Sequence, residues 1–300
     1  MEPEAARLEK QHVHDVYEST APYLSHLQSR AWPRVRQFLQ DQKPGSLVAD
    51  IGCGTGKYLQ VNSQVHILGC DYCRPLVEIA RAGGSEVMVC DNLNLPFRDQ
   101  GFDAVISIGV IHHFSTRRRR SRAVGEMARV LAPGGRLLIY VWAMEQKNRR
   151  FARQDVLVPW NGALCSGPRP PEPGPRPGGF YSALGRSLRA WLSARALEAP
   201  RPAEPRGAGG ARGGAGGDAG GPAGAEAPGR TRAPGPRPPE PPGPEGGAAL
   251  TRYYHVFRAG ELGELLRGHA RELRVLSAGR DHGNWCVLAE KRRGRPAQGR

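Results

Sequence analysis

The chain has 300 residues, with 40 glycines and 27 prolines, and its 43 lysines and arginines against 28 acidic residues give a net charge of +15. The acidic N-terminus lacks the apolar segment of a signal peptide, and no apolar run reaches the roughly 18 residues of a membrane span. Six cysteines without a secretion signal indicate reduced thiols. These features predict a cytoplasmic protein, with the nucleus as a second location.

Basic residues cluster outside the low-complexity sequence, at 117–120, 147–150 and 290–295. Such clusters indicate a polyanionic partner, RNA ahead of a membrane surface, with DNA not expected. The alternative is a basic face that is simply solvated. One Cys-x-x-Cys pair, Cys70 and Cys73, has no second pair at zinc spacing, so no metal site is expected.

Composition also sets the domain boundaries. Residues 166–179 and 198–249 consist mainly of Gly, Pro, Ala and Arg, which bury too little apolar surface to offset the entropy lost on ordering. We predict a core formed by 1–165 and 251–291, a mostly disordered insertion at 166–250 and a basic tail at 292–300. Within the insertion, residues 180–197 combine an apolar stripe with arginines, which predicts an amphipathic helix that docks on a partner or packs back on the core.

Helices come first in chain order. Helical periodicity over 4–17 is followed by a second helix, Pro33 to Gln40, that starts with proline. Five strands then alternate with helices. The predicted strands are 46–51, 66–71, 86–91, 102–109 and 136–143, and the predicted helices begin near Gly56 or cover 74–82 and 117–131. The sequence Pro133-Gly134-Gly135 is expected to end the last of these helices.

After the insertion, a helix at 257–269 precedes a hairpin at 272–291. Near-continuous apolar strands that alternate with helices predict a parallel sheet covered on both faces. The whole pattern predicts an α/β fold of the class I methyltransferase (Rossmann-like) type, with a seven-stranded sheet of five parallel strands and a C-terminal antiparallel hairpin. The third strand would lie at the sheet edge, and such an edge is usually covered by a partner.

A glycine-rich turn follows the first strand, with Gly52, Gly54 and Gly56 at alternate positions. A P-loop needs four residues before its Gly-Lys pair, but only three separate Gly52 from Gly56, and Tyr58 replaces the hydroxyl that would bind magnesium. The dinucleotide fingerprint places its last glycine one residue later than here. ATP and NAD are therefore excluded, and Lys57 is expected to be an exposed helix residue.

Acidic residues at the ends of successive strands instead favour S-adenosylmethionine. Asp50 is placed for the ammonium group of the ligand, and Asp71 for both ribose hydroxyls. Asp91 and Asn92 are placed for the adenine amino group, and we group Ser107, on the fourth strand, with these cofactor-binding residues. All lie along the crevice at the carboxyl ends of the strands, where open α/β sheets bind ligands.

The fourth strand leads into two histidines, His112 and His113. The Asn/Asp-Pro-Pro-aromatic motif of methyltransferases that act on exocyclic base nitrogens is absent. A histidine pair at a strand end in a ligand crevice indicates a functional role, with one of the two rings packing inward.

Five blocks carry a resemblance to a known family: VISIGVIHHFST, LLIYVWAMEQ, QDVLVPW, RYYHVF and GNWCVLAEK. The chain resembles the eukaryotic tRNA wobble-uridine carboxymethyl methyltransferases over 5–165 and 251–291. The resemblance implies methylation of the carboxylate of carboxymethyluridine at the tRNA anticodon, which gives the methyl ester. It also implies a small zinc-binding activator subunit that several methyltransferases share.

The positions of individual residues suggest site roles for this chemistry. We expect His113 to position the substrate carboxylate or the uracil edge, with His112 as the second candidate. Trp142 is expected to wall or stack the base, and Tyr17 to close the cofactor pocket. The predicted RNA-binding residues are Arg117, Arg118, Arg119, Arg120, Arg149 and Arg150.

The chain departs from the family in one place. Members with the wobble-uridine activity carry Thr-Arg-x-x-Pro-Trp-Pro, in which the arginine serves the substrate carboxylate. Here the stretch reads LQSRAWP, so Gln28 falls at the arginine position and Arg30 is the candidate substitute. Two alternatives stay open: a catalytically weak or inactive paralogue that binds RNA or a partner, and a small-molecule O-methyltransferase.

Overall fold

The computed structural model describes residues 2–24, 30–146, 151–160 and 250–293. The predicted helix at 180–197 and nearly all of the insertion around it lie outside these residues. Gln28, Arg149 and Arg150 also lie outside them.

Seven strands form one sheet. The strands are β1 Leu47–Ile51, β2 His66–Asp71, β3 Val87–Val89, β4 Phe102–Ile108, β5 Leu131–Trp142, β8 Leu273–Asp281 and β9 Asn284–Lys291. Their order in the sheet is β3-β2-β1-β4-β5-β9-β8. The first five in this order are parallel, and β9 is antiparallel to both β5 and β8. The predicted fold class is confirmed, including the C-terminal hairpin and the edge position of β3.

Helices cover both faces of this sheet. They are α1 Glu2–Glu9, α2 Asp15–Leu24, α3 Pro33–Gln40, α4 Arg74–Ala82, α5 Arg117–Val130 and α6 Glu261–Arg267, with a π-helical segment at Lys10–His14 between α1 and α2. Side chains of α5 and α6 bury one sheet face with Ile51, Val105 and Ile139. Side chains of α3 bury the other face with Val48 and Ile106. Because alternate residues of a strand face opposite sides, burial on both sides makes the strands continuously apolar.

A second sheet of two strands flanks the predicted insertion. Its strands are β6 Asp155–Pro159 and β7 Thr251–His255, which pair antiparallel. No strand was predicted at either position. A bridge between Ala143 and Phe257 connects the end of β5 to the chain just after β7, which places β7 beside the site described below.

The predicted helix near Gly56 is wrong. Consecutive turns occupy the region from residue 54 to residue 60. Gly54 and Gly56 have φ values of +55° and +86°, and such left-handed residues interrupt a right-handed helix. Lys57 is accordingly not an exposed helix residue, because it is half-buried in this turn region.

Several other boundaries differ from prediction, two of them by four or more residues or for a clear physical reason. β5 begins at Leu131 rather than 136, with an irregular register opposite Phe102 to Ala104. α6 begins only at Glu261, because Gly260 has a φ of +84° and caps the helix start. Within the described ranges no helix is long and apolar enough to cross a membrane. The same ranges contain no group of three or more His, Cys, Asp or Glu side chains that is arranged for a metal ion.

Candidate active site

A cavity of about 410 Å³ lies at the carboxyl ends of β1, β2 and β4. This volume is in the range of pockets that bind small molecules and cofactors. The segments α1 and α2, with the π-helical segment between them, form one wall, and the glycine turn after β1 forms another. The predicted site residues that line the cavity are Tyr17, Asp50, Gly52, Gly54, Asp71, Asn92 and His113.

The glycine turn brings backbone to the cavity wall. Gly52 has a φ of +82°, and a Cβ atom there would lie 2.2 Å from Cγ2 of Val110. A side chain at this position would therefore both strain the backbone and clash. Gly56 does not line the cavity; a Cβ atom there would lie 3.1 Å from Ala80 of α4, so its role is to let the turn pack on that helix.

Asp50 is a fully buried charged group of the cavity, with 1% of its surface exposed. Neither carboxylate oxygen has a hydrogen-bond donor among the described residues. Burial, and to a lesser degree the negative charge of Asp71, raises the pKa of Asp50 to about 8. A buried acid of this kind is stabilised in its charged form by a cationic ligand.

Asp71 has a different environment because it holds the loop together. Its Oδ2 accepts the Gly54 N–H at 2.9 Å, and its Oδ1 accepts the Cys73 N–H at 2.9 Å. Burial raises the pKa of Asp71, while these backbone hydrogen bonds oppose the rise. Each oxygen keeps a second lone pair, so the carboxylate can still accept hydroxyl donors.

The three other predicted cofactor residues differ in position. Asn92 lines the cavity, and its buried Oδ1 has no donor in the described part of the chain. Asp91 faces its own loop instead, where it accepts from the Leu93 N–H at 2.8 Å and from Asn94 at 3.0 Å. Ser107 is buried in β4 and does not line the cavity. The structure therefore brings Asn92 to the cavity, but not Asp91 or Ser107.

His113 and Tyr17 form a hydrogen-bonded pair on the cavity wall. The Nδ1 of His113 lies 2.9 Å from the Tyr253 carbonyl oxygen, so this nitrogen carries the proton and donates. Burial lowers the pKa of His113 to about 3. The ring is therefore neutral, and its Nε2 accepts the Tyr17 hydroxyl at 3.1 Å. Because that lone pair repels a carboxylate, the structure argues against the predicted role of His113 as a direct carboxylate ligand.

His112 and Trp142 lie behind the cavity wall. The Nδ1 of His112 accepts the backbone N–H of Trp142 at 3.0 Å, and burial lowers the pKa of this buried ring well below its usual value. His112 is thus the histidine that packs inward. The Trp142 ring contacts Tyr254 and Phe151, at centroid distances of 4.7 and 5.2 Å, and does not line the cavity. Neither residue reaches a ligand in the cavity directly.

The four arginines at the start of α5 separate into two groups. Arg117 and Arg118 are exposed. Arg119 forms an ion pair at 2.7 Å with the buried Glu9, and Arg120 is buried and donates to the Phe114 carbonyl at 2.9 Å. The prediction of RNA binding therefore needs correction for Arg119 and Arg120, which are held by protein partners.

Three further cations lie at the site or close in sequence to one of its residues. Arg30 is exposed, two residues before Trp32, which lines the cavity. Lys57 also lines the cavity, with its Nζ 4.9 Å from the centre of the Trp32 ring. Arg252 of β7 was not predicted as a site residue; its Nη1 donates to the Tyr17 hydroxyl at 3.2 Å. The only feature of the sequence that pointed to Arg252 was its position in the RYYHVF block.

Comparisons with known proteins agree with this geometry. A family model described as "Methyltransferase domain" matches residues 49–139. The chain is 44% identical to "Probable tRNA methyltransferase 9B" of Mus musculus, over 98% of this chain and 99% of that protein. It is 36% identical to "tRNA (carboxymethyluridine(34)-5-O)-methyltransferase ALKBH8" of Macaca fascicularis, over 96% of this chain and 45% of that protein. It is 34% identical to the "tRNA (carboxymethyluridine(34)-5-O)-methyltransferase" of Schizosaccharomyces pombe, over 94% of this chain and 97% of that protein.

The chain belongs to this tRNA methyltransferase family. Its cofactor is S-adenosylmethionine, as the sequence predicted, and the cavity fits that molecule. The unpaired, buried carboxylate of Asp50 suits an ammonium group, the free lone pairs of Asp71 suit ribose hydroxyls, and the Oδ1 of Asn92 suits an amino group. The pairing of each of these three side chains with one group of the cofactor is a prediction.

Proposed function

We propose that the protein methylates the carboxylate of carboxymethyluridine at the wobble position of the tRNA anticodon. The observation that carries this proposal is the similarity, along nearly the whole chain, to relatives that are named for this reaction. The cavity supports it, because the residues that suit the cofactor and the His113–Tyr17 pair line the same space.

The chemistry suits a site without a strong base. A carboxylate has a pKa near 4 and is already ionised at neutral pH. S-adenosylmethionine supplies an electrophilic methyl group. As the carboxylate oxygen bonds to the methyl carbon, the bond from that carbon to sulfur breaks, and its electron pair stays on sulfur; no proton is transferred. The protein therefore has to align the two groups and exclude water, which is consistent with a buried and neutral His113.

Two surfaces are proposed to bind partners. Arg117 and Arg118 are exposed at the start of α5 and can contact tRNA phosphates.

The edge strand β3 has only three residues, and Val89 on it is 46% exposed. An edge of this kind can pair with another chain, so we assign it to the activator subunit.

Mass spectrometry of tRNA nucleosides tests the proposed function. Cells that lack the protein should accumulate carboxymethyluridine at the expense of its methyl ester, and re-expression of the wild-type chain should restore the ester. The Asp50→Asn variant should not restore it. An unchanged nucleoside pattern would favour a catalytically inactive paralogue or a small-molecule O-methyltransferase.

A further inference from the structure

Arg252 occupies a distinctive position beside the cavity. It lies on β7, and its guanidinium carbon is 4.5 Å from the centre of the Trp160 ring, 5.4 Å from Tyr17 and 5.6 Å from Tyr254. Rings stack well on a guanidinium plane, and they fix its orientation. The side chain is therefore held in place by aromatic faces rather than by acids.

Arg252 has more N–H donors than the described residues have acceptors within reach of it. A guanidinium group has five N–H donors. One of its Nη1 protons goes to the Tyr17 hydroxyl, while the buried Nε has no acceptor among the described residues. No carboxylate in these residues forms an ion pair with Arg252. The contrast is with Arg119 and Arg129, each of which pairs with two acids.

A chain of hydrogen bonds connects Arg252 to the cavity. Arg252 donates to the Tyr17 hydroxyl, which donates to Nε2 of His113, while Nδ1 of His113 donates to the Tyr253 carbonyl. The hydroxyl proton of Tyr17 and the Nδ1 proton of His113 are both used in these hydrogen bonds, so neither residue has one left for an anion. Positive charge for an anionic acceptor must come from elsewhere, and Arg252 lies immediately behind these two residues.

The position of Arg252 also separates it from the cofactor. Lys57 lines the cavity on the side of Trp32, whereas Arg252 is not part of the cavity lining and lies beyond Tyr17. A ligand of Arg252 would therefore approach from outside the cavity, which is the side from which we propose that the tRNA acceptor enters.

We propose that Arg252 binds the carboxylate of the acceptor nucleotide and thereby distinguishes the acid from neutral uridines. This inference rests on the proposed function, because it takes the acceptor to be a carboxylate.

RNA binding by the full chain tests this inference without turnover. Two anticodon stem-loop RNAs would be compared, one with carboxymethyluridine and one with its neutral methyl ester, in the presence of S-adenosylhomocysteine. The wild-type chain should prefer the acid by about tenfold or more, because a hydrogen bond to a charged group is involved. Arg252→Gln should bind both RNAs equally, and Arg252→Lys should keep part of the preference.

The matched control is Arg258→Gln, which removes one exposed positive charge from the loop after β7 and should keep the full preference. S-adenosylmethionine affinity, measured by calorimetry, should be the same in Arg252→Gln and the wild type. An acid preference that survives in Arg252→Gln would overturn the assignment of Arg252 alone. So would a fall in cofactor affinity that matches the loss of preference, which would assign Arg252 to the cofactor. No preference in the wild-type chain would instead overturn the proposed acceptor.

Discussion

Asp50 gives the sharpest prediction, because its carboxylate is buried with no donor among the described residues. Its pKa is about 8 in the fold, against 3.8 for an ordinary aspartate. Below pH 3.8 both the folded and the unfolded chain carry the proton. Between these two values the folded protein keeps a proton that the unfolded chain releases, so stability falls as the pH rises and levels off above about pH 8.

The size of the effect follows from these values. The cost grows by about 1.4 kcal/mol per pH unit, which amounts to about 4 kcal/mol at pH 7 relative to strongly acidic solution. Asp50→Asn cannot ionise and avoids this cost. The cofactor-free variant should therefore gain stability relative to the wild type, and the gap should widen by about 3 kcal/mol between pH 5 and pH 7.

Urea unfolding of the cofactor-free proteins at these two pH values measures the gap. The buried histidines titrate in both proteins, so their contribution cancels in the difference. Calorimetry should show that Asp50→Asn binds S-adenosylmethionine about 10- to 100-fold more weakly, because an ionic hydrogen bond is lost. A stability gap that is independent of pH, or an unchanged cofactor affinity, would refute the reasoning about Asp50.

The remaining predictions concern the glycine turn after β1 and the arginines at the start of α5. Gly52→Ala should destabilise the fold by about 3 kcal/mol or more in urea unfolding, because its new Cβ would clash with a valine. Gly54→Ala, which has open space around it, should cost only about 1 kcal/mol of left-handed strain; equal costs would contradict this difference. Arg119→Gln should destabilise by about 3 kcal/mol because it leaves Glu9 buried without its cation. Arg118→Gln should leave the free energy of unfolding unchanged but lower the salt dependence of tRNA binding. A loss of stability in Arg118→Gln, with weaker salt dependence only in Arg119→Gln, would contradict the assignment of both arginines.

The sheet and most helices were predictable from local sequence. The bounds of α3, α4 and β2 agree with prediction, because proline starts and apolar runs are local signals. The predicted helix near Gly56 was wrong, because the sequence does not show that Gly54 and Gly56 adopt positive φ values. The pairing of β6 with β7 joins Asp155 to His255 across a long insertion, and no local pattern shows that two such distant segments meet.

The site was predictable where motif spacing fixes it. Asp50 and Asp71 follow from the strand ends and both line the cavity. Spacing did not show that Asn92, and not Asp91, would face the cavity, because that depends on the conformation of the short loop after β3. Arg252 could not be found from spacing, because it reaches Tyr17 only through the pairing of distant strands.

Methyl transfer by the purified protein tests the central claim most directly. The full chain, with the proposed activator subunit, would be incubated with methyl-labelled S-adenosylmethionine and a stem-loop RNA that contains carboxymethyluridine at the wobble position. We predict label in the methyl ester of that nucleoside, and none in a matched RNA with uridine there. Label that appears in another nucleoside, or no label from a complex that binds both the cofactor and the RNA, would contradict the account.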